Sequence, residues 1–191
     1  MLSTLGLLLL APVLLLIAIA VKLDSPGPVL FRQERVGRYG VPFRIHKFRS
    51  MRYEPHSVGR QITVGVDTRI TRIGAFLRRS KLDELAQLID VWQGTMSLVG
   101  PRPEVPRYVA LYPAPLRERV LSVRPGITDP ASLQFRNEGE LLALAADPER
   151  EYLEVVMPRK LALQAQYVQR ASVCGDLRII WHTLLVLLVR G

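Results

Sequence analysis

A chain of 191 residues can build one domain with a core of its own, but not two large domains that fold apart. It is 49% hydrophobic and yet carries 26 Lys+Arg against 17 Asp+Glu, a formal net charge of +9, so an apolar body coexists with a basic surface that attracts nucleic acid, anionic lipid headgroups or phosphorylated small molecules. The single cysteine, Cys174, excludes an intramolecular disulfide and with it a cross-linked secreted scaffold; it reads as a small buried apolar residue.

From Leu2 to Val21 no residue is charged, and about 20 apolar residues suffice for a helix to cross a bilayer. A cleaved signal peptide is not indicated, because no basic region precedes the run and no small-x-small signal stands before Lys22. Lys22, Arg32, Arg35 and Arg38 follow the run. Loops rich in such residues stay in the cytoplasm, which predicts a membrane element over residues 1–22 and a cytoplasmic domain over 23–191. Pro12 removes a backbone donor and crowds the turn before it, so a bend is expected there. Two geometries are open: a kinked single-pass anchor, or a re-entrant helix–break–helix that turns at Ala11-Pro12 and returns to the same face.

Beyond the apolar run, Asp24-Ser25-Pro26-Gly27-Pro28 cannot continue a helix. Val29 to Gln33 and Phe43 to Phe48 flank the turn Gly37 to Gly40 and read as a β-hairpin. Tyr53 to Asp67 reads as a polar loop. Ile70 to Arg79 and Leu82 to Gln93 are helical by periodicity, the second with Leu82, Leu85, Ile89 and Trp92 on one face and Gly94 as its stop. Further helices are expected at Val105 to Leu111, Pro115 to Val123, Gly139 to Ala146, and Pro148 to Arg170 with a break at Pro158. The last helix, Leu177 to Val189, is too short to span a membrane. It is either a core helix or one lying in the bilayer interface with Trp181 and Arg190 at headgroup level. The fold class is α+β and mostly helical, with no internal repeat.

Ser80-Lys81-Leu82-Asp83-Glu84-Leu85 places two adjacent carboxylates at the start of an amphipathic helix. One reading is purely structural: Ser80 and Asp83 approximate a capping box, and acids favour a helix amino terminus. The other is chemical. Such a terminus also binds phosphate, a carboxylate there can attack phosphorus, and successive helical side chains diverge by roughly 100°, leaving Glu84 free to hold a cation. A carboxylate approaching a diphosphate needs Mg²⁺ or a cluster of Arg and Lys to mask the like charge. Arg78 and Arg79 lie just upstream, Arg102 stands between Pro101 and Pro103, Arg124 precedes Pro125-Gly126, and Lys47 and Arg49 end the second strand. There is no His/Cys cluster with zinc spacing and no Walker or GxGxxG glycine loop.

Taken together, SPGP at 25–28, FRQERVG at 31–37, KFRSM at 47–51, LDEL at 82–85, MSLVGPRPE at 96–104 and RPGIT at 124–128 resemble the bacterial sugar transferases called monotopic phosphoglycosyl transferases. The match runs in order from about Leu5 to Thr128 and more weakly to Leu188. The resemblance implies a ping-pong reaction in which Asp83 attacks the β-phosphate of a nucleotide sugar, expels a nucleoside monophosphate and holds the sugar phosphate until polyprenyl phosphate takes it. It further implies Glu84 as the Mg²⁺ ligand, Lys47, Arg78, Arg102, Arg124 and Arg136 as phosphate- or nucleotide-binding residues, and the re-entrant helix with its break at Pro12. By the same analogy the nucleotide is uridine, the lipid is a polyprenyl phosphate such as undecaprenyl phosphate, with the polyprenol itself left open, and the protein sits in the bacterial inner membrane with its catalytic domain in the cytoplasm.

Three departures from the family pattern stand out. A basic residue and an Asp usually precede the apolar helix and are missing before Leu2, implying weaker anchoring or a shortened start. Ala86 stands where Pro is common, and Thr95 where Asp is. Neither the sugar, the glycan pathway nor a homo-oligomer follows from the sequence. The competing class is a membrane-anchored basic protein that binds nucleic acid or acidic lipid without catalysis. Against nucleic acid, single-strand binders interleave aromatics with basic residues, and only 7% of residues here are aromatic.

Overall fold

The computed structural model of the chain describes residues 2–53 and 67–188; the segment read as a loop, Tyr53 to Asp67, lies outside that description except at its two ends. The apolar run forms one helix, α1 (Leu2–Asp24). Among the described residues it is the one helix long and apolar enough to cross a membrane, with a mean hydropathy of 2.8 over Ser3–Asp24. Ser3, Gly6, Leu10, Leu14, Ile17 and Val21, spaced three or four residues apart, form its buried or half-buried stripe, as a helical period requires. Leu8, Leu9, Leu15, Leu16, Ile19 and Leu23 are exposed on the other sides. No non-helical break interrupts α1 at Pro12. The stripe keeps its phase through that residue, which is itself exposed, so the proline ring falls where it disturbs no packing. A Cβ on Gly6 would lie 3.7 Å from Leu88, and Ile17 and Val21 join Phe48, Leu77 and Ala86 in one core cluster. Both halves of α1 therefore rest on the domain.

The hairpin is present and longer than expected. Strands β1 (Leu30–Val36) and β2 (Pro42–Phe48) pair antiparallel, from Leu30 opposite Phe48 to Val36 opposite Pro42. Arg49, just beyond β2, is buried, and its guanidinium donates to the carbonyls of Val21, Ser25 and Pro26. One side chain thus binds a carbonyl of the last turn of α1 and two just beyond its end.

Helix α2 (Arg72–Arg79) starts two residues later than the periodicity predicts, because Thr71 caps it: the Gly74 amide donates to Thr71 Oγ1 at 3.0 Å. A Cβ on Gly74 would sit 2.0 Å from the Ser50 carbonyl oxygen, so only glycine lets α2 lie so close to the strand end. The capping-box reading of Ser80 is corrected. Ser80 closes α2, its hydroxyl donating to the Phe76 carbonyl at 2.8 Å, and Lys81 follows in the left-handed region with φ 56°. Where one helix from Leu82 to Gln93 was expected, a 3-10 segment Leu82–Gln87 leads into the short helix α3 (Leu88–Trp92). Gly94, at φ 80°, is the stop.

Two three-residue strands escaped the sequence reading. β3 (Ser97–Val99) and β4 (Gly126–Thr128) pair in parallel. Their contact is close enough that a Cβ on Gly126 would meet the Gly100 nitrogen at 2.1 Å. Around them lie α4 (Pro106–Val109), α5 (Ala114–Leu121), α6 (Pro130–Gln134), α7 (Glu138–Ala143), α8 (Pro148–Glu151) and α9 (Met157–Arg170). The break expected at Pro158 takes the form of a π-helical turn, Tyr152–Val156, just ahead of it. A wider turn accommodates the missing N–H and the ring of a proline one turn later without stopping the helix. Helices α4, α5, α7 and α9 and the π turn share a second core that includes Leu142, Val156 and Leu161.

The last helix, α10 (Val173–Leu188), is not a core helix. Val173, Leu177, Trp181 and Leu184 are exposed, Trp181 by 62%, and their spacing puts them on one face. Cys174, expected to be buried, is exposed in the first turn of this helix. The fold is α+β and mostly helical, as expected.

Candidate functional site

The 3-10 segment packs against β2, α2 and α3. Leu82, Leu85 and Ala86 belong to the core beneath α1, while the two acids face β2 and the loop after β3. Asp83 is 1% exposed; its Oδ2 lies 2.9 Å from Lys47 Nζ, and its Oδ1 is buried without a hydrogen-bond partner. Glu84 receives Lys47 Nζ at 3.2 Å, Arg102 Nη1 on Oε2 at 2.9 Å and Arg102 Nη2 on Oε1. The last two bonds form a forked pair, the arrangement in which a guanidinium grips a carboxylate best.

Burial alone would raise the Glu84 carboxyl, but the charges of Arg102 and Lys47 overcome it and hold the group well below the usual carboxylate range. Glu84 in turn pushes the Arg102 guanidinium above its ordinary value. Glu84 is thus kept ionised by the cations beside it.

Three devices fix those cations. Lys47 extends from β2, whose preceding residue is locked to α3: the His46 amide donates to Asp90 Oδ2 at 2.9 Å, and His46 Nδ1 lies 2.7 Å from Asp90 Oδ1. Arg102 is held by the β3–β4 pair, since Gly100 and Gly126 donate across it to the carbonyls of Thr128 and Pro101. The third device is Asp129, fully buried and singled out for no role in the sequence. It accepts the Arg102 amide at 3.0 Å, the Ser132 amide at 2.5 Å and Gln164 Nε2 at 2.8 Å. Asp-Pro-x-Ser is a local signal for a helix cap, which Asp129 is for α6; its hold on Arg102 and Gln164 is long-range and leaves no local trace.

A cleft of ≈ 2130 Å³ opens beside the dyad, walled by Lys47, Arg78, Glu84, Arg102 and Arg136, and continues to the apolar side chains Leu177, Ile180 and Leu184 of α10. Of the residues singled out from the sequence, Lys47, Asp83, Glu84 and Arg102 are brought into direct contact, and Arg78 and Arg136 stand on the cleft wall. Arg124 is not with them: it is exposed and its guanidinium lies beside Gly94. Asp83 does not line the cleft itself but lies behind Lys47, which does. Pro12 belongs to the far side of α1. The residues missed are Asp129, Gln164 and Gln87, the last 1% exposed and on the cleft wall.

The chain is 41% identical over 186 residues to the UDP-glucose:undecaprenyl-phosphate glucose-1-phosphate transferase of Escherichia coli, a match covering 95% of this chain and 37% of the relative. It is 39% identical to the protein of that name from Caulobacter vibrioides, covering 92% of this chain and 62% of the relative. To the exopolysaccharide production protein PSS of Rhizobium leguminosarum it is 41% identical, covering 97% of this chain and 90% of that one. It thus spans roughly a third to two thirds of the length of the glucose-1-phosphate transferases it matches and nearly all of the shorter relative. Since the family model described as bacterial sugar transferase covers residues 1–190, and the acid pair, its two cations and the glycine-tight loops behind them all fall within that stretch, the chain belongs to the bacterial sugar transferase family.

Proposed function

We propose that the protein transfers a sugar 1-phosphate from a UDP-sugar to undecaprenyl phosphate through a covalent intermediate on Asp83. The observation that carries this reading is the pair of adjacent carboxylates in contact with Lys47 and Arg102 at the edge of a cleft that runs from basic to apolar walls. The names of the relatives supply the substrate classes.

The incoming diphosphate competes for Lys47 Nζ and the Arg102 fork, since both cations bind phosphate oxygens as readily as carboxylates. Drawing Lys47 toward the phosphates uncovers Asp83. A carboxylate oxygen of Asp83 then attacks the β-phosphorus, the bond from that phosphorus to the bridging oxygen breaks, and UMP leaves with the electron pair. In the second step an oxygen of undecaprenyl phosphate attacks the same phosphorus, and the Asp83 carboxylate departs unchanged. Arg102, Lys47, Arg78 and Arg136 neutralise the charge that builds up on the transferred group.

Glu84 is the residue of this site that would hold Mg²⁺, an ion that needs only one or two protein carboxylates beside phosphate and water oxygens. When bound, it would withdraw charge from the diphosphate. Arg124 belongs to this machinery only if nucleotide binding brings its loop toward the cleft.

Membrane association follows from the exposed apolar faces of α1 and α10. The stripe of α1 that rests on the domain from Ser3 to Val21 supports the reading in which both ends of that helix lie at one membrane face. In intact bacterial cells, a cysteine introduced at Thr4 in a Cys174→Ser background is expected to resist a membrane-impermeant maleimide and to react after permeabilisation. Labelling from outside would instead mean that α1 crosses the membrane.

The transfer reaction is tested by intact-protein mass measurement after exposure to a panel of UDP-sugars without lipid acceptor. The expected result is a mass increase of one sugar phosphate, chased off by undecaprenyl phosphate. Turnover with no adduct at any time, with trapping by rapid acid quench, would overturn the covalent route.

A further inference from the structure

Helix α10 turns an unbroken aliphatic stripe to the cleft. Leu177, Ile180, Leu184 and Leu187 all line it, and their spacing of three, four and three residues puts them on one face of the helix. The stripe is uncharged over about 15 Å of helix. Trp181 and Leu185, on the neighbouring face, are exposed and stand outside the cleft wall.

The middle of the stripe is fixed close to Arg102. α10 packs on β3, β4 and α6, and Thr183 Oγ1 lies 2.8 Å from Thr128 Oγ1. The residue before Thr128 is Ile127, whose carbonyl accepts Arg102 Nη1 at 3.3 Å and which lines the cleft as well. The aliphatic wall therefore begins at the arginine that grips Glu84, and the cleft passes from the cations Lys47, Arg78, Arg102 and Arg136 to hydrocarbon along α10.

We propose that this stripe binds the isoprenoid chain of the acceptor lipid, an inference that rests on the transfer reaction proposed above. The occupant has to set a phosphate among the cations and an uncharged chain along the leucines, which is the charge pattern of a polyprenyl phosphate. Departure of UMP after the first step frees those cations for the acceptor's phosphate. Burial of hydrocarbon is non-directional, so the stripe holds the chain while the cations decide which end enters. A bilayer phospholipid has phosphate and hydrocarbon too, and the experiment separates the two lipids.

Leu184 is 48% exposed, so replacing it opens no core. Leu184→Ser removes hydrocarbon from the stripe, whereas Leu184→Trp adds bulk and favours a membrane interface. A helix that only attached the protein to a membrane would respond to these two changes in opposite senses; a stripe that binds a chain responds to both in one. The full chain in detergent, without donor, is mixed with undecaprenyl phosphate or phosphatidylglycerol, and bound lipid is read from native mass spectra. Undecaprenyl phosphate is expected to bind about tenfold more weakly to both Leu184 variants, the scale of about two CH₂ groups left unburied, and as tightly as to the parent in Leu185→Ser. In transfer from UDP-glucose, the acceptor KM should rise by the same factor while the KM for UDP-glucose stays. Parental binding in Leu184→Trp, an equal loss in Leu185→Ser, or displacement of undecaprenyl phosphate by phosphatidylglycerol at equal concentration would overturn the proposal. Because binding is read without donor, absence of an adduct on Asp83 would remove the covalent reaction and leave the binding result standing, a different failure from any of these.

Discussion

Asn at position 83 is expected to abolish sugar-phosphate transfer in a protein that still folds. The carboxamide has nearly the volume of the carboxylate, so the turn keeps its packing, and Lys47 keeps Glu84 as a counter-charge at 3.2 Å. The variant also loses a buried charge whose Oδ1 had no donor. Its unfolding temperature should therefore stay within a few degrees of the parent, an exposed-to-buried difference of about 1 kcal/mol being worth about 2–4 °C in a chain of this size. Transfer, in contrast, should fall by about 10³-fold or more, because a group that forms the covalent bond cannot be replaced by its binding neighbours. The measurement is formation of the lipid-linked sugar under steady-state conditions, together with UMP release in the absence of acceptor. Asp83→Glu is the sharper companion. Its carboxylate survives but is carried one methylene further toward Lys47, so partial activity there and none in Asp83→Asn would tie catalysis to the carboxylate rather than to the local fold. Undiminished turnover in Asp83→Asn would move the chemistry to Glu84 or elsewhere.

Much of this site could be read from the chain because its signals are local. The uncharged run before Lys22, the turn between Gly37 and Gly40, and the prolines on either side of Arg102 each constrain backbone within a few residues, and each has its counterpart in the structure. What could not be read depends on competition or on distance. Ser80 fits a capping box by spacing, but it equally closes the helix before it, and a left-handed Lys81 decides between the two; that conformation has no sequence signal when the residue is not glycine. Pro158 announces a disturbance without saying that a π turn will absorb it. Strands of three residues, such as β3 and β4, are too short for alternation to show. Arg124 has the proline neighbour that made Arg102 look preorganised, but it projects beside Gly94, because proline fixes a backbone angle and not the direction of a side chain. Burial of Asp83 behind Lys47 comes from β2 crossing the dyad, a contact 36 residues away in sequence.

Removing Asp129 is expected to be the most damaging change outside the acid pair. Its carboxylate is fully buried and is shared by three donors from separate parts of the chain: the Arg102 amide, the Ser132 amide and Gln164 Nε2. Asp129→Ala leaves all three without an acceptor, and an orphaned buried donor costs about 1–3 kcal/mol, so a loss of about 3 kcal/mol is a restrained expectation. Asp129→Asn is instructive because it keeps the shape. Its NH₂ group must face at least one of the donors that the carboxylate served, which sets donor against donor and prevents the side chain from restoring the hub whichever way the amide is turned. Both variants should melt well below the parent, while Gln164→Ala, which removes one bond and leaves the carboxylate its other two, should cost about 1 kcal/mol. The kinetic signature separates the hub from ordinary stability. Arg102 reaches Glu84 only because its backbone is pinned, so at a temperature where Asp129→Asn remains folded, the KM for the UDP-sugar should rise and adduct formation slow, while Gln164→Ala retains nearly the parental rate. Equal kinetics in the two variants would mean that Asp129 supports the fold without placing the arginine.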